Sequence, residues 1–149
     1  MTNTQPSNPD DVPAVPVDPA ALGWRVVDLA GFANHVGPFW TRTDAGVRRF
    51  ACLTDARHRN GQGMVHGGML VTFIDQALGL IVREAVERQP CATVQLNTQF
   101  VAAGRPGDFI EMDHQIIRRT RSLVFIRGTL HTAGRTVLSA EGIWKVLGV

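Results

Sequence analysis

Residues 60–86, NGQGMVHGGMLVTFIDQALGLIVREAV, constrain the fold of this chain more than any other stretch. Four glycines fall between Gly61 and Gly68 with His66 among them, and a long apolar run follows that one carboxylate, Asp75, interrupts. Good helix formers dominate residues 69–87 and no proline lies between Pro38 and Pro90, so the spacing predicts a helix. The β-branched residues Val71, Thr72, Ile74, Ile81 and Val82 weaken its propensity, so burial must supply its stability. Met69, Leu70, Phe73, Ile74, Ala77, Leu78, Ile81, Val82 and Ala85 cover nearly every direction around the axis. A helix that apolar needs a wrapper, and a sheet is the usual one.

Asp75 is the odd residue of that helix. An ionised carboxylate in an apolar segment is expensive, so it is expected to be paired, to have a raised pKa, or to face a cavity. It reads either as a carboxylate hydrogen-bonded at a polar seam or as a general base or nucleophile poised by its surroundings. The pair Gly67-Gly68 leaves unshielded N–H groups at the positive end of the helix dipole, where they suit an oxygen gaining negative charge in acyl transfer. At about 1.5 Å per residue, the steps from Gly67 to Asp75 span roughly 12 Å. One helix therefore cannot bring both groups to one carbon: they serve different purposes, or a second copy of the chain supplies one of them across a two-fold axis.

Asn60, then His66-Gly67-Gly68, then Asp75 opening a long helix resembles the hotdog-fold acyl-CoA thioesterases, specifically their phenylacetic-acid-degradation (PaaI-like) branch. The resemblance covers about residues 45–147, and the combined motif is more specific than HGG alone. It implies an α+β hotdog fold, an antiparallel sheet wrapped around one central helix, and a homodimer or homotetramer with sites between protomers. It also implies hydrolysis of acyl-CoA, with coenzyme A as part of the substrate and no cofactor. By the same resemblance Asp75 is the catalytic carboxylate, acting as general base on water or as nucleophile, the Gly67 N–H the oxyanion donor, and His66 an aid to orienting the substrate carbonyl or the loop. Thr93 stands where relatives carry a hydroxyl that positions the attacking water, and the cluster Arg118-Arg119-Thr120-Arg121-Ser122 where relatives contact coenzyme A.

Each of these residues also has a plainer reading. His66 is a helix-cap histidine; Gly68 allows close helix packing; Asn60 holds a water or the acyl carbonyl, or makes a turn through its own side chain. Thr93 is an ordinary strand threonine. The arginines form a solvated hairpin turn, although their forked donors suit phosphates.

Length and composition bound what remains. With 149 residues, 44% of them hydrophobic, the chain buries one sizeable core, so one domain is expected over residues 21–149. A formal charge of +2 gives no argument for a nucleic-acid partner, and the arginine cluster lacks interleaved aromatics apart from nearby Phe125. Asp75 breaks the longest apolar run, which argues against a membrane span. The N-terminus lacks the basic-then-apolar pattern of a secretory signal. Cys52 and Cys91 lie in expected strands without metal or CxxC spacing, so reduced thiols and a cytoplasmic location are expected. Residues 1–20 carry five of the eight prolines and read as a disordered tail.

Residues 23–43 look irregular, with Phe32, Phe39 and Trp40 as candidate linings of an acyl pocket. Asp44-Ala45-Gly46 supports a turn into a strand at 47–54, and strands are expected at 91–101, 109–118, 123–131 and 136–146. Within 91–101, Thr93, Gln95, Asn97 and Gln99 alternate with Ala92, Val94, Leu96 and Phe100.

Other chemistries have little support. There is no GxSxG, and the serines are Ser7, Ser122 and Ser139, so a nucleophile elbow is absent. The Gly61-Gln62-Gly63 run has His66 in place of the third glycine of a dinucleotide loop. The five histidines lack metal-ligand spacing, so no metal is expected. Two alternatives stand beside hydrolysis: a hotdog dehydratase or hydratase, which would want a His–acid pair at the reacting carbon, and a non-catalytic acyl-CoA-binding or regulatory module.

Overall fold

In the computed structural model, which describes residues 16–148, a seven-stranded antiparallel sheet packs against one long helix. The elements are β1 (Arg25–Val26), α1 (Gly31–Val36), β2 (Phe39–Asp44), β3 (Val47–Leu53), a 3-10 turn (Ala56–His58), α2 (Gly67–Ala85), β4 (Cys91–Phe100), β5 (Phe109–Arg119), β6 (Leu123–Thr132) and β7 (Arg135–Val146). The sheet order β1-β2-β3-β5-β6-β7-β4 brings β4, which follows the helix, beside the last strand and leaves it as an edge. This is the expected α+β sheet-around-helix architecture.

Helix α2 buries Met69, Leu70, Phe73, Ile74, Ala77, Leu78, Ile81 and Val82 against the sheet's Phe50, Ile110, Met112, Val124, Ile126, Leu130, Leu138 and Trp144. At about 1.5–3 kcal/mol for each large side chain taken from water, that face outweighs the propensity deficit of the β-branched residues. The helix is less surrounded than its sequence suggests. Its opposite stripe, Val71, Thr72, Asp75, Gln76, Gly79 and Leu80, is half-buried, and Arg83 is exposed.

The segment expected to be irregular contains β1, α1 and β2. Strand β2 alternates properly, Phe39 and Thr41 inward and Trp40 and Arg42 less covered, but an inward polar residue hides the pattern. Thr41 is buried because its hydroxyl donates to the Arg49 carbonyl at 2.9 Å and accepts from Arg48 Nε at 3.1 Å. Ala45 and Gly46, at φ 48° and 80°, form the left-handed two-residue turn that matches strand twist in a hairpin, and Ala133-Gly134 repeat it between β6 and β7. The helix ends at Ala85, before Pro90, and Glu87 and Arg88, both left-handed at φ 56° and 65°, turn the chain towards β4.

Strand β4 corrects the alternation read from sequence. A bulge between Thr93 and Gln95 shifts the phase, so Thr93 and Leu96 both reach the α2 side and line one cavity. Of the expected tail, residues 1–15 lie outside the described residues. Residues 16–20 lead into a turn in which Asp18 Oδ1 accepts from the Ala20 N–H at 3.0 Å, just before the buried Trp24.

Candidate active site

The loop before α2 is tied at several points. His58 is buried, its Nδ1 accepting from the Asp55 N–H at 2.9 Å while Nε2 meets the Val36 carbonyl at 2.8 Å. Its own carbonyl accepts from the His66 N–H at 2.7 Å. Asn60 Oδ1 accepts from the Gln62 and Met64 N–H groups at 2.9 and 3.1 Å, so its carbonyl side braces the glycine loop. Its amide NH₂ has no partner among the described residues.

His66 caps the helix. Its Nδ1 accepts from the Gly68 N–H at 2.9 Å, which fixes the tautomer with the proton on Nε2 and leaves that N–H as a donor. A Cβ on Gly68 would lie 3.0 Å from His66 Nδ1, so the second glycine is needed to let the imidazole close on the cap. A Cβ on Gly67 would lie 2.9 Å from Phe100 Cε1. The Gly67 N–H has no acceptor among the described residues and sits at the positive end of a 19-residue helix.

Asp75, further along α2, is half-buried, and Thr93 Oγ1 donates to its Oδ1 at 2.9 Å. The helix and the edge strand thus meet through this pair. Two adjoining cavities open on it. One of ≈550 Å³ is lined by Ala30, Phe32, Ala33, Val71, Thr72, Gln76 and Leu96 beside Asp75 and Thr93. The other, ≈220 Å³, runs from the same pair past Gly79, Leu80, Arg83 and Cys91 to Trp144. Of the expectations for Asp75, pairing and a cavity are both met.

The remaining candidates divide. Phe32 is 67% exposed and lines the larger cavity, whereas Phe39 is core against Phe73, with ring centroids 5.1 Å apart, and Trp40 lines a separate cavity with Pro16 and Leu53. Arg119 donates to the Ala85 carbonyl, neutralising the C-terminal end of α2. Thr120 Oγ1 accepts from the Leu123 N–H at 2.9 Å, and the Ser122 carbonyl accepts from the Val146 N–H at 2.8 Å, so both shape the β5–β6 turn. Arg118 and Arg121 are exposed and have no acidic partner among the described residues.

Cys91 borders the smaller cavity, but burial pushes its thiol pKa up; burial takes the Cys52 thiol up to about 12. Neither thiol is a ready nucleophile. Sequence reasoning missed Phe100 on Gly67, because β4's pairing partner and the helix start are far apart in sequence. From the sequence Gln76 is only an uncharged neighbour of Asp75 and Arg83 falls on roughly the other side of the helix, whereas both line the smaller cavity with Asp75.

Comparisons with known proteins bear on the family and the fold. Residues 62–139 match the family model of the thioesterase superfamily. A putative esterase of Pseudomonas aeruginosa is 34% identical over 113 residues, 74% of this chain and 84% of that protein. A Bacillus halodurans protein crystallised with CoA superposes with a TM-score of 0.69 at 25% identity, covering 73% of this chain and 74% of that one. A mutant of the phenylacetic acid degradation protein PaaI from Thermus thermophilus superposes with a TM-score of 0.68 at 20% identity, over 78% of this chain and 98% of that one. The glycine-to-helix motif, the sheet that cradles that helix and the family match converge: this chain belongs to the thioesterase superfamily and has its hotdog fold.

Proposed function

We propose that the protein hydrolyses acyl-CoA thioesters at sites shared between two copies of the chain, with Asp75 as general base and the Gly67 N–H as oxyanion donor. The observation that carries the reading is the Asp75–Thr93 hydrogen bond, which holds a carboxylate in an open cavity on the same helix as an unpartnered amide. Because roughly 12 Å separates Gly67 from Asp75 along α2, the two act on one carbon only if they come from different copies.

Strand β4 suits such pairing. It is a ten-residue edge strand with Val94 61% and Phe100 58% exposed, an open edge of a kind that proteins ordinarily cover. An antiparallel pairing of two β4 strands about an axis between Leu96 and Asn97 sets Thr93 of one copy opposite Phe100 of the other. Asp75, bonded to Thr93, would then face Gly67, which lies against Phe100.

In that arrangement Thr93 occupies Oδ1 of Asp75, and Oδ2 takes a proton from water. The water oxygen forms the new C–O bond, charge collects on the carbonyl oxygen at the Gly67 N–H, and collapse breaks the C–S bond. The thiolate leaves and is protonated, giving free acid and coenzyme A. The Asn60 NH₂ and His66 Nε2–H are further donors near that oxygen. The apolar walls from Ala30, Phe32, Val71 and Leu96 suit a short or medium acyl chain or an aromatic ring, and Arg118 and Arg121 suit the nucleotide phosphates. Dehydration is less well supported: Nδ1 of the motif histidine is held by the Gly68 cap, and Thr93 occupies one oxygen of Asp75. Thiol release across a panel of acyl- and aryl-CoA thioesters tests the reading. Turnover of at least one class is expected, and no release from any would contradict it.

A further inference from the structure

We propose that Phe100 is a positioning residue of this site, its ring covering Gly67 and keeping water from the amide that donates to the developing oxyanion. The inference rests on the hydrolytic reading above. Phe100 Cε1 and Cζ would lie 2.9 and 3.2 Å from a Cβ on Gly67, so the ring fills the space a side chain would take. Gly67 is half-buried while its neighbours His66 and Gly68 are exposed. The two amides also differ. The Gly68 N–H is bonded to His66 Nδ1, whereas the Gly67 N–H has no acceptor among the described residues.

In the single chain Phe100 is 58% exposed and does not belong to the core, its ring held against a glycine; in the paired arrangement proposed above it lies at the seam between the copies, beside the shared site. Its backbone is fixed by pairing with Leu138, and the next N–H, of Val101, donates to the Val137 carbonyl at 3.0 Å. An amide aimed at a developing oxyanion is most effective where water is excluded and no reorganisation is needed. A large apolar ring on one side of the amide supplies that exclusion, and its exposed remainder offers an apolar wall to the thioester.

The test compares wild type, Phe100→Ala and Phe100→Leu, both expected to fold because the side chain lies outside the core, at concentrations where sedimentation shows each variant as assembled as the wild type. NMR reads amide hydrogen exchange at Gly67 and Gly68, and kinetics use the acyl-CoA that the wild type hydrolyses fastest. In Phe100→Ala, Gly67 should exchange about tenfold faster with Gly68 unchanged, and kcat should fall about tenfold with KM within about twofold. Phe100→Leu should restore most of both. Unchanged Gly67 exchange, equal acceleration at both glycines, or a rise in KM alone would overturn the proposal. Asp75→Asn run alongside separates the two ideas: if that variant hydrolyses normally, the reaction assignment fails, while the exchange data still decide whether the ring shields Gly67.

Discussion

Asp75 and its hydroxyl partner carry the chemical argument. Replacing Asp75 by Asn keeps the shape and the Thr93 contact but removes the base, so kcat should drop by about 10²–10⁴-fold while acyl-CoA affinity stays within about threefold. Stopped-flow turnover and equilibrium binding on the same preparation check both halves. At Gly68 the limit is steric: Gly68→Ala forces the His66 ring off the cap, and the lost cap bond should cost about 0.5–2 kcal/mol in denaturant unfolding. His114 reports on pH. Burial first, and Arg49 second, hold its pKa below the ordinary 6.5, so the unfolded chain binds a proton that the folded one does not. Stability is therefore present above pH 6.5 and lost as pH falls through the folded value, and His114→Gln should flatten the decline that sets in below 6.5. The Asp55 carboxyl, lowered by its hydrogen bond to Arg57, acts in a separate window below 3.8.

Among the elements, the β5–β6 turn separates scaffold from binding surface. Arg119→Ala removes a cation from the end of α2 and should lower stability by about 0.3–1 kcal/mol without raising KM. Arg118→Glu with Arg121→Glu should raise KM for acyl-CoA with stability little changed, and thermal unfolding beside kinetics distinguishes the two cases. Elements with strong local signals were legible in the sequence: the helix, the turn at Asp44-Ala45-Gly46 and the long strands after the helix. What was not legible depends on non-local contacts. Thr41 is buried in β2 because Arg48 and Arg49 satisfy it, the phase of β4 changes at a bulge against β7, and Gly67 meets a phenyl ring 33 residues away. For the site, Asp75 and the glycines stood out because each breaks the pattern around it. Phe100 did not, since a lone aromatic at the end of a strand reads as core until the fold exposes it, whereas Phe32, named from the sequence as a pocket lining, does line the larger cavity.

For the whole molecule, the central claim is that neither copy of the chain holds a complete site. Gly67→Pro tests it cleanly. Gly67 is the first residue of α2, a position where proline is well accepted; the substitution deletes the backbone N–H and also displaces the Phe100 ring, both on the Gly67 side of the site and neither on the Asp75 side. Alone, Gly67→Pro and Asp75→Asn should each be nearly inactive. Co-expressed in equal amounts, they should form mixed assemblies in which one site keeps both an intact Gly67 and an intact Asp75, restoring about a quarter of wild-type kcat. A mixture as inactive as its components, or a protein that sediments as a monomer while hydrolysing acyl-CoA, would contradict the shared site.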